Sequence, residues 1–487
     1  MKKKILTAAS SAALAIAGSA LAIHAQTEGG GGGRASISFS TADTTVKRPA
    51  KPAVKRTVPK RIAPRKSAAE YEAEGDRLYD LKDYDSALVA YQNAARLRPT
   101  FRSLYRSGWI HNDFDEYAKA VAVLDRAIAL DSSQAVAYGE KGYALRRLKR
   151  NDEAMAALKM AVSLNPQASI APYELGALYN ELGRYSEAER SLRTAIQNRS
   201  DYIDAYTELG LAQRRQGKNQ DALDSFNTAI RLGPQDSDGY MGLGDVYFYG
   251  LKDYQKALDA YLKGLKYDTD NRVALYNVGY SYNDNGNYSD ALRYLQQATQ
   301  LKADYYQAYA EIGYANLKLK NADEAIAAYQ KALQYKPDHA TSMFGIGDVY
   351  YDILKKYDMA ITYYKKGLAY SPDDSSALYR LGFSYNDLGQ YALAVDPLAK
   401  VRRLKPEWKS VPTELGYAYM MQKRYDDAVE SLRQAIAMDR DYDLAYYYLG
   451  QVYYATGNRN AATNQYRELQ RLRSQYAPKL NELIQKM

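Results

Sequence analysis

Residues 203–234 read IDAYTELGLAQRRQGKNQDALDSFNTAIRLGP. Gly210 is followed twelve residues later by Ala222, then by Phe226 four residues on and Ala229 three beyond that, and Pro234 closes the stretch. Spacings of three, four and seven fall on one stripe of an α-helix, and small residues on such a stripe mark where a second helix must approach closely. The stretch therefore predicts a helix, a tight turn and a second helix that stops at proline.

The same text recurs along most of the chain. Glycines stand at Gly75, Gly108, Gly142, Gly176, Gly210, Gly244, Gly279, Gly313, Gly347, Gly382, Gly416 and Gly450, 33 to 35 residues apart. Each is followed twelve or thirteen residues later by an alanine, from Ala87 and Ala120 to Ala428 and Ala462. Four residues beyond each alanine stands a large apolar side chain, running from Tyr91 and Leu124 through Phe226 to Leu432 and Tyr466. A period this strict is the mark of a repeat architecture and predicts twelve helical hairpins over residues 68–472. Their turns are legible in Leu182-Gly183-Arg184-Tyr185, Asn285-Gly286-Asn287-Tyr288 and Leu388-Gly389-Gln390-Tyr391.

This pattern resembles that of the tetratricopeptide repeat family, which asks for leucine-glycine and tyrosine in the first helix, then alanine, an aromatic and proline. Glu208-Leu209-Gly210, Ala222, Phe226, Ala229 and Pro234 carry it nearly whole. The resemblance implies an all-α, right-handed superhelix of stacked helical hairpins that binds other proteins and does no chemistry of its own. Three features depart from the pattern. The usual tryptophan of the first helix is missing, repeat two has Leu124 and Ser132 for the aromatic and the proline, and Pro397 sits inside a helix that it should kink. Residues 473–487 read as an end helix that caps the array and is broken at Pro478.

A longer period overlies the short one. Gly244-Asp245-Val246-Tyr247 returns as Gly347-Asp348-Val349-Tyr350, and Gly279-Tyr280-Ser281-Tyr282-Asn283-Asp284 returns as Gly382-Phe383-Ser384-Tyr385-Asn386-Asp387, each 103 residues on. Repeats six to eight and nine to eleven thus read as copies of one block, with an extra residue between the helices of repeats six and nine.

The formal net charge of +9 would suggest an anionic partner, but it is unevenly placed. Residues 1–67 hold 13 lysines and arginines against Glu28 and Asp43, which leaves the rest of the chain close to neutral, so nucleic acid is not called for. Lys2, Lys3 and Lys4 precede an uncharged, alanine-rich run from Ile5 to Ile23, the order of a secretory signal peptide, here expected to span 1–25. An uncleaved membrane anchor is the alternative. Five glycines, Gly29 to Gly33, and a Pro- and Lys/Arg-rich stretch then form an expected disordered linker over 26–67, which could also touch an anionic polymer. With no cysteine in the sequence, disulfides and thiolate chemistry are excluded.

On each first helix, positions three before and one, four and five after the repeat glycine lie roughly 140 degrees from the packed stripe. In a stacked solenoid that is the inner wall, and the family resemblance puts ligand contacts on the same concave face. The candidate partner-binding residues there are Tyr105, Trp109, Asn112, Tyr143, Arg146, Asn180, Arg214, Tyr276, Tyr280, Asn283, Tyr314, Tyr379, Phe383, Asn386 and Tyr417. Aromatics alternate with amides able to donate to and accept from a peptide backbone, while some rings could instead fill space between neighbouring helices.

Catalysis finds no support. His111 and His339 stand alone on separate repeats, so neither a metal site nor a triad assembles, and no cofactor is expected. Gly242-Leu243-Gly244 and Gly345-Ile346-Gly347 imitate a nucleotide-binding start, but both lie inside helices with no strand before them. The reading is a non-enzymatic scaffold, exported to the periplasm or beyond, that holds a protein or peptide of the cell envelope. A cell-surface protein associated with polysaccharide or peptidoglycan, and a non-catalytic subunit of an enzyme complex, remain open beside it.

Overall fold

The computed structural model describes residues 66–487. The expected signal peptide and, apart from its last two residues, the expected linker lie outside the described residues. What is described is an all-α solenoid of stacked helical hairpins, with 25 α-helices and no strand among the described residues. Two compact bodies divide at Thr269 and Asp270. The first holds six hairpins, from Ala68–Asp80 with Tyr84–Leu97 to Ser237–Asp245 with Tyr254–Gly264. The second holds six more, from Arg272–Asp284 with Tyr288–Leu301 to Asp443–Ala455 with Arg459–Arg471, and then the end helix Ala477–Gln485. Inside each body, each second helix packs on its own first helix and on the first helix of the following repeat.

The stripe read from the sequence is the one that packs. All twelve periodic alanines, Ala87 to Ala462, have no exposed surface at all. Eleven of the twelve periodic glycines give way to the large residue of their own second helix: a Cβ on Gly142 would lie 2.5 Å from Leu158 Cγ, and one on Gly210 2.8 Å from Phe226. Glycine is required there because that ring or isobutyl group lies flat on the first-helix backbone. Gly242 and Gly345 have the same reason one repeat further along: their Cβ atoms would lie 2.1 Å from Phe226 and 2.2 Å from Tyr329 of the preceding hairpin.

Each first helix ends in one left-handed residue. Gly183, Gly217, Gly286, Gly389 and Gly457 take it with φ of 72 to 78°, whereas Asp115 and the lysines Lys82, Lys149, Lys252, Lys320, Lys355 and Lys423 take it despite the Cβ. The next residue closes the turn by donating to a carbonyl back in the helix, as Arg184 does to Tyr179 at 2.8 Å.

The helix Tyr391–Leu404 is continuous through Pro397, and the carbonyl left without a donor belongs to Leu393, which is exposed to water. Three expectations are corrected. The extra residue of repeats six and nine is not in the loop: it is absorbed as a π-helical turn at Val246–Leu251 and at Val349–Ile353, which leaves the left-handed turn and the alanine register unchanged. Pro478 does not break the end helix: it stands in the first turn, where its missing N–H costs no hydrogen bond. Finally, Tyr466 does not cover Gly450; Leu480 of the end helix does, with no exposed surface, so the last hairpin borrows its core residue from outside the repeat.

Candidate functional site

Five junctions between successive first helices share one pattern: a side chain four residues after a repeat glycine reaches the glutamate two residues before the next one. Asn112 Nδ2 donates to both the carbonyl of Glu140 at 3.0 Å and its Oε2 at 2.8 Å. Asn180 makes the same pair of bonds with Glu208, Asn283 with Glu311 and Asn386 with Glu414, each across 28 residues. Where the position is Arg146, its guanidinium binds Glu174 at 2.8 Å and Glu181 at 2.6 Å.

These asparagines were expected to offer both donor and acceptor to a partner. Their donors are instead committed to the neighbouring repeat, because buried amide N–H groups must be satisfied and the stacked helices bring a carboxylate within reach. Asn112, Asn180, Asn283 and Asn386 are all at least nine-tenths buried, and in each the other amide atom, Oδ1, has no hydrogen-bond partner.

The rings divide into two groups. Tyr280, Tyr379, Phe383 and Tyr417 are buried; Tyr379 stacks at 4.8 Å on Trp408 in the connection before the next first helix, and Tyr417 lies 4.9 Å from Tyr448 on the next first helix. These rings, expected on the inner wall, fill the space between repeats. Tyr105, Trp109, Tyr143, Tyr276 and Tyr314 keep part of their surface in water. Trp109 meets Tyr79 edge-on at 5.1 Å, and Tyr314 carries the Lys318 ammonium 5.2 Å from its centroid.

The buried charges follow the same register. Arg214 pairs with Asp245 at 3.2 Å, and Tyr261 Oη donates to that aspartate at 2.7 Å. Three repeats on, Asp348 accepts from Tyr364 Oη at 2.6 Å, and its arginine comes from the following repeat: Arg380 lies 3.8 Å from Asp348 and 3.0 Å from Asp352. The glutamates of these junctions went unrecognised in the sequence. The signal was present as an asparagine followed 28 residues later by glutamate, four times over.

Glu414 is pushed up to about 8 by burial, with the Asn386 amide working against the shift and the Asp387 charge adding to it; Glu311 is pushed up to about 7 in the same way by its burial, opposed by Asn283 and assisted by Asp284. A carboxyl that binds its proton more tightly folded than unfolded makes the protein less stable as pH rises from its ordinary value of 4.5 towards the folded value. Glu414→Gln is accordingly expected to match the parent near pH 5 and to exceed it near pH 8.5 by on the order of 1 kcal/mol or more. Chemical denaturation at the two pH values reads the difference, and a gap independent of pH would show that this carboxyl is not held protonated.

Models of the tetratricopeptide repeat match residues 72–135, 207–271 and 344–407, residues 304–373, and residues 135–167 and 273–305; a further TPR repeat model matches 176–217 and 416–457. No curated protein matches the chain. Among solved structures, the chain is similar to the crystal structure of the APC/C hetero-tetramer Cut9-Hcn1, with 14% identity over 86% of this chain and 96% of that one, at a TM-score of 0.43. It is also similar to yeast Tom70, with 14% identity over 86% and 99% at a TM-score of 0.36. A third is YrrB, titled a TPR protein with an unusual peptide-binding site, with 23% identity over 39% and 97% at a TM-score of 0.36.

Proposed function

The chain belongs to the tetratricopeptide repeat family, and from that premise we propose that it is a non-enzymatic scaffold of the cell envelope that binds a segment of a partner protein along the inner wall of its first helices. The observation that supports this reading is the set of partly exposed rings at inner positions of the first helices, Tyr105 and Tyr143 in the first body and Tyr276 and Tyr314 in the second, on which side chains of a bound segment can rest. Export is the companion proposal and rests on Lys2, Lys3 and Lys4 followed by the uncharged run to Ile23.

Capture from a native envelope extract tests both parts. The full chain is compared with Tyr143→Ser/Tyr314→Ser, which removes one partly exposed ring from each body and keeps the helical stripe intact. A protein retained by the parent and lost with the double variant, at unchanged helicity, supports the inner wall. Equal retention moves the binding surface elsewhere, and retention of polysaccharide alone overturns the scaffold reading. N-terminal sequencing of protein recovered from the periplasm reads export, which predicts a mature start after Ala22 or Ala25.

A further inference from the structure

Where acids gather at the inner junctions, the chain usually supplies its own guanidinium. Arg146 answers Glu174 and Glu181, Arg214 answers Asp245, and Arg380 answers Asp348 and Asp352. Two junctions of the second body break this habit. Among the described residues, neither Glu311 nor Glu414 has a lysine or arginine within ion-pair distance. The groups that act on Glu311 are Asn283 and Asp284, both from the preceding first helix. Those that act on Glu414 are Asn386 and Asp387. The other titratable groups turned towards the two carboxyls are tyrosines: Tyr314 and Tyr329 at Glu311, and Tyr379, Tyr417, Tyr442 and Tyr448 at Glu414. Of the nearby cations, Lys318 lies on the ring of Tyr314 and acts on Asp348, while Lys355 lies on the ring of Tyr351 and acts on Asp387, which also accepts from Tyr351 Oη at 2.5 Å; neither touches a glutamate.

Each junction therefore lacks one kind of group. The glutamate carboxylate is an acceptor, and the neighbouring Asp284 or Asp387 is an exposed carboxylate through which the cluster meets solvent. Among the described residues, no donor bearing positive charge touches either glutamate. Guanidinium and ammonium groups are donor-only and charged, and Arg146 and Arg380 show the form such a group takes between two acids of this same array.

We infer that Glu311 with Asn283 and Asp284, and Glu414 with Asn386 and Asp387, are two receptor sites, three repeats apart, for arginine or lysine side chains of the partner protein. This rests on the reading of the inner wall as the binding face and adds the partner's chemistry: a basic segment. It also gives the duplicated block a use, since the 103-residue repeat copies the receptor together with its framework. Without a cation beside them, burial makes both glutamates bind a proton more tightly than an ordinary carboxyl, Glu414 more than Glu311, so an entering cation promotes its release. Binding of a basic segment is thus coupled to proton release and strengthens as pH rises through 7 to 8.

The test is calorimetric, on the full chain. A Gly/Ser peptide with alternate arginines is titrated in parallel with the same peptide carrying citrulline, which keeps the shape and loses the charge. Titrations are run in two buffers of different ionisation enthalpy to count protons. The arginine peptide is expected to bind about tenfold or more tightly than the citrulline peptide, with proton release near pH 7. Glu311→Gln/Glu414→Gln, isosteric with the protonated carboxyls, is expected to lose both the preference and the release at unchanged helicity. A charge-matched control, Glu407→Gln/Glu430→Gln at two exposed acids, is expected to keep them. Equal affinity for the two peptides, or the same loss in the control, overturns the inference. The scaffold reading has its own arm: partner captured from extract by the parent and undiminished with Glu311→Gln/Glu414→Gln sinks the receptor sites while leaving the inner wall standing.

Discussion

Arg380→Met is expected to destabilise the second body by about 3 to 5 kcal/mol, because it leaves buried acids without their counter-charge. Arg380 holds Asp352 by contacts of 3.0 and 3.2 Å and lies 3.8 Å from Asp348, which is 4% exposed. Without it, Asp348 keeps the hydroxyl of Tyr364, itself fully buried, and the weaker influence of the Lys318 charge. Burial already raises the Asp348 carboxyl above its ordinary range, with Arg380 as the main opposing influence. Removing the arginine raises it further, so the loss is expected to be smaller at pH 5 than at pH 8, where the carboxylate is forced to ionise. A second change, Asp348→Asn, removes the unpaired charge and is expected to restore much of the stability at pH 8. Since a repeat array need not unfold in one step, amide exchange of repeats nine and ten is the suitable measurement. A loss of under 1 kcal/mol, equal at both pH values, would show that the ion pair carries little.

Phe226→Ala is expected to cost a similar 3 to 5 kcal/mol, roughly the value for emptying an aromatic site in a close-packed core. The ring is 2% exposed and bridges two hairpins, lying against Gly210 of its own repeat and Gly242 of the next. Both glycines exist to admit it, so no neighbouring side chain is placed to fill the space. The adjoining hairpin should loosen with it, and protection from exchange is expected to fall in Ser237–Asp245 as well as in Asn219–Leu232. Filling the cavity from the other side, with Gly242→Ala added to Phe226→Ala, is expected to recover part of the loss. In the parent background the same Gly242→Ala is destabilising, because its Cβ would lie 2.1 Å from the ring. That reversal of sign is the decisive readout.

The core stripe of each hairpin was legible in the sequence. The glycine, the alanine and the large residue of a repeat stand within seventeen positions of one another, and helical spacing alone places them on facing stripes. That is why the hairpins, their turns and the core stripe could be read before any coordinates, and why Tyr466 failed: its counterpart, Leu480, lies beyond the last repeat, where no period points. The π-helical turns were invisible for a related reason, since counting residues shows that one is extra and not where the backbone stores it. Tertiary structure alone decided the inner wall. The helix angle selects which positions face inward, but whether an inward side chain meets a partner or the next repeat depends on how closely successive first helices stack. Stacking brought Asn283 to Glu311 and Asn386 to Glu414, turned Tyr379 and Tyr417 into packing, and gave Asp348 its arginine from the following repeat where Asp245 has one from the preceding repeat. Neither choice could be read from a single helix, because each is a contact between helices that meet only once the array is built.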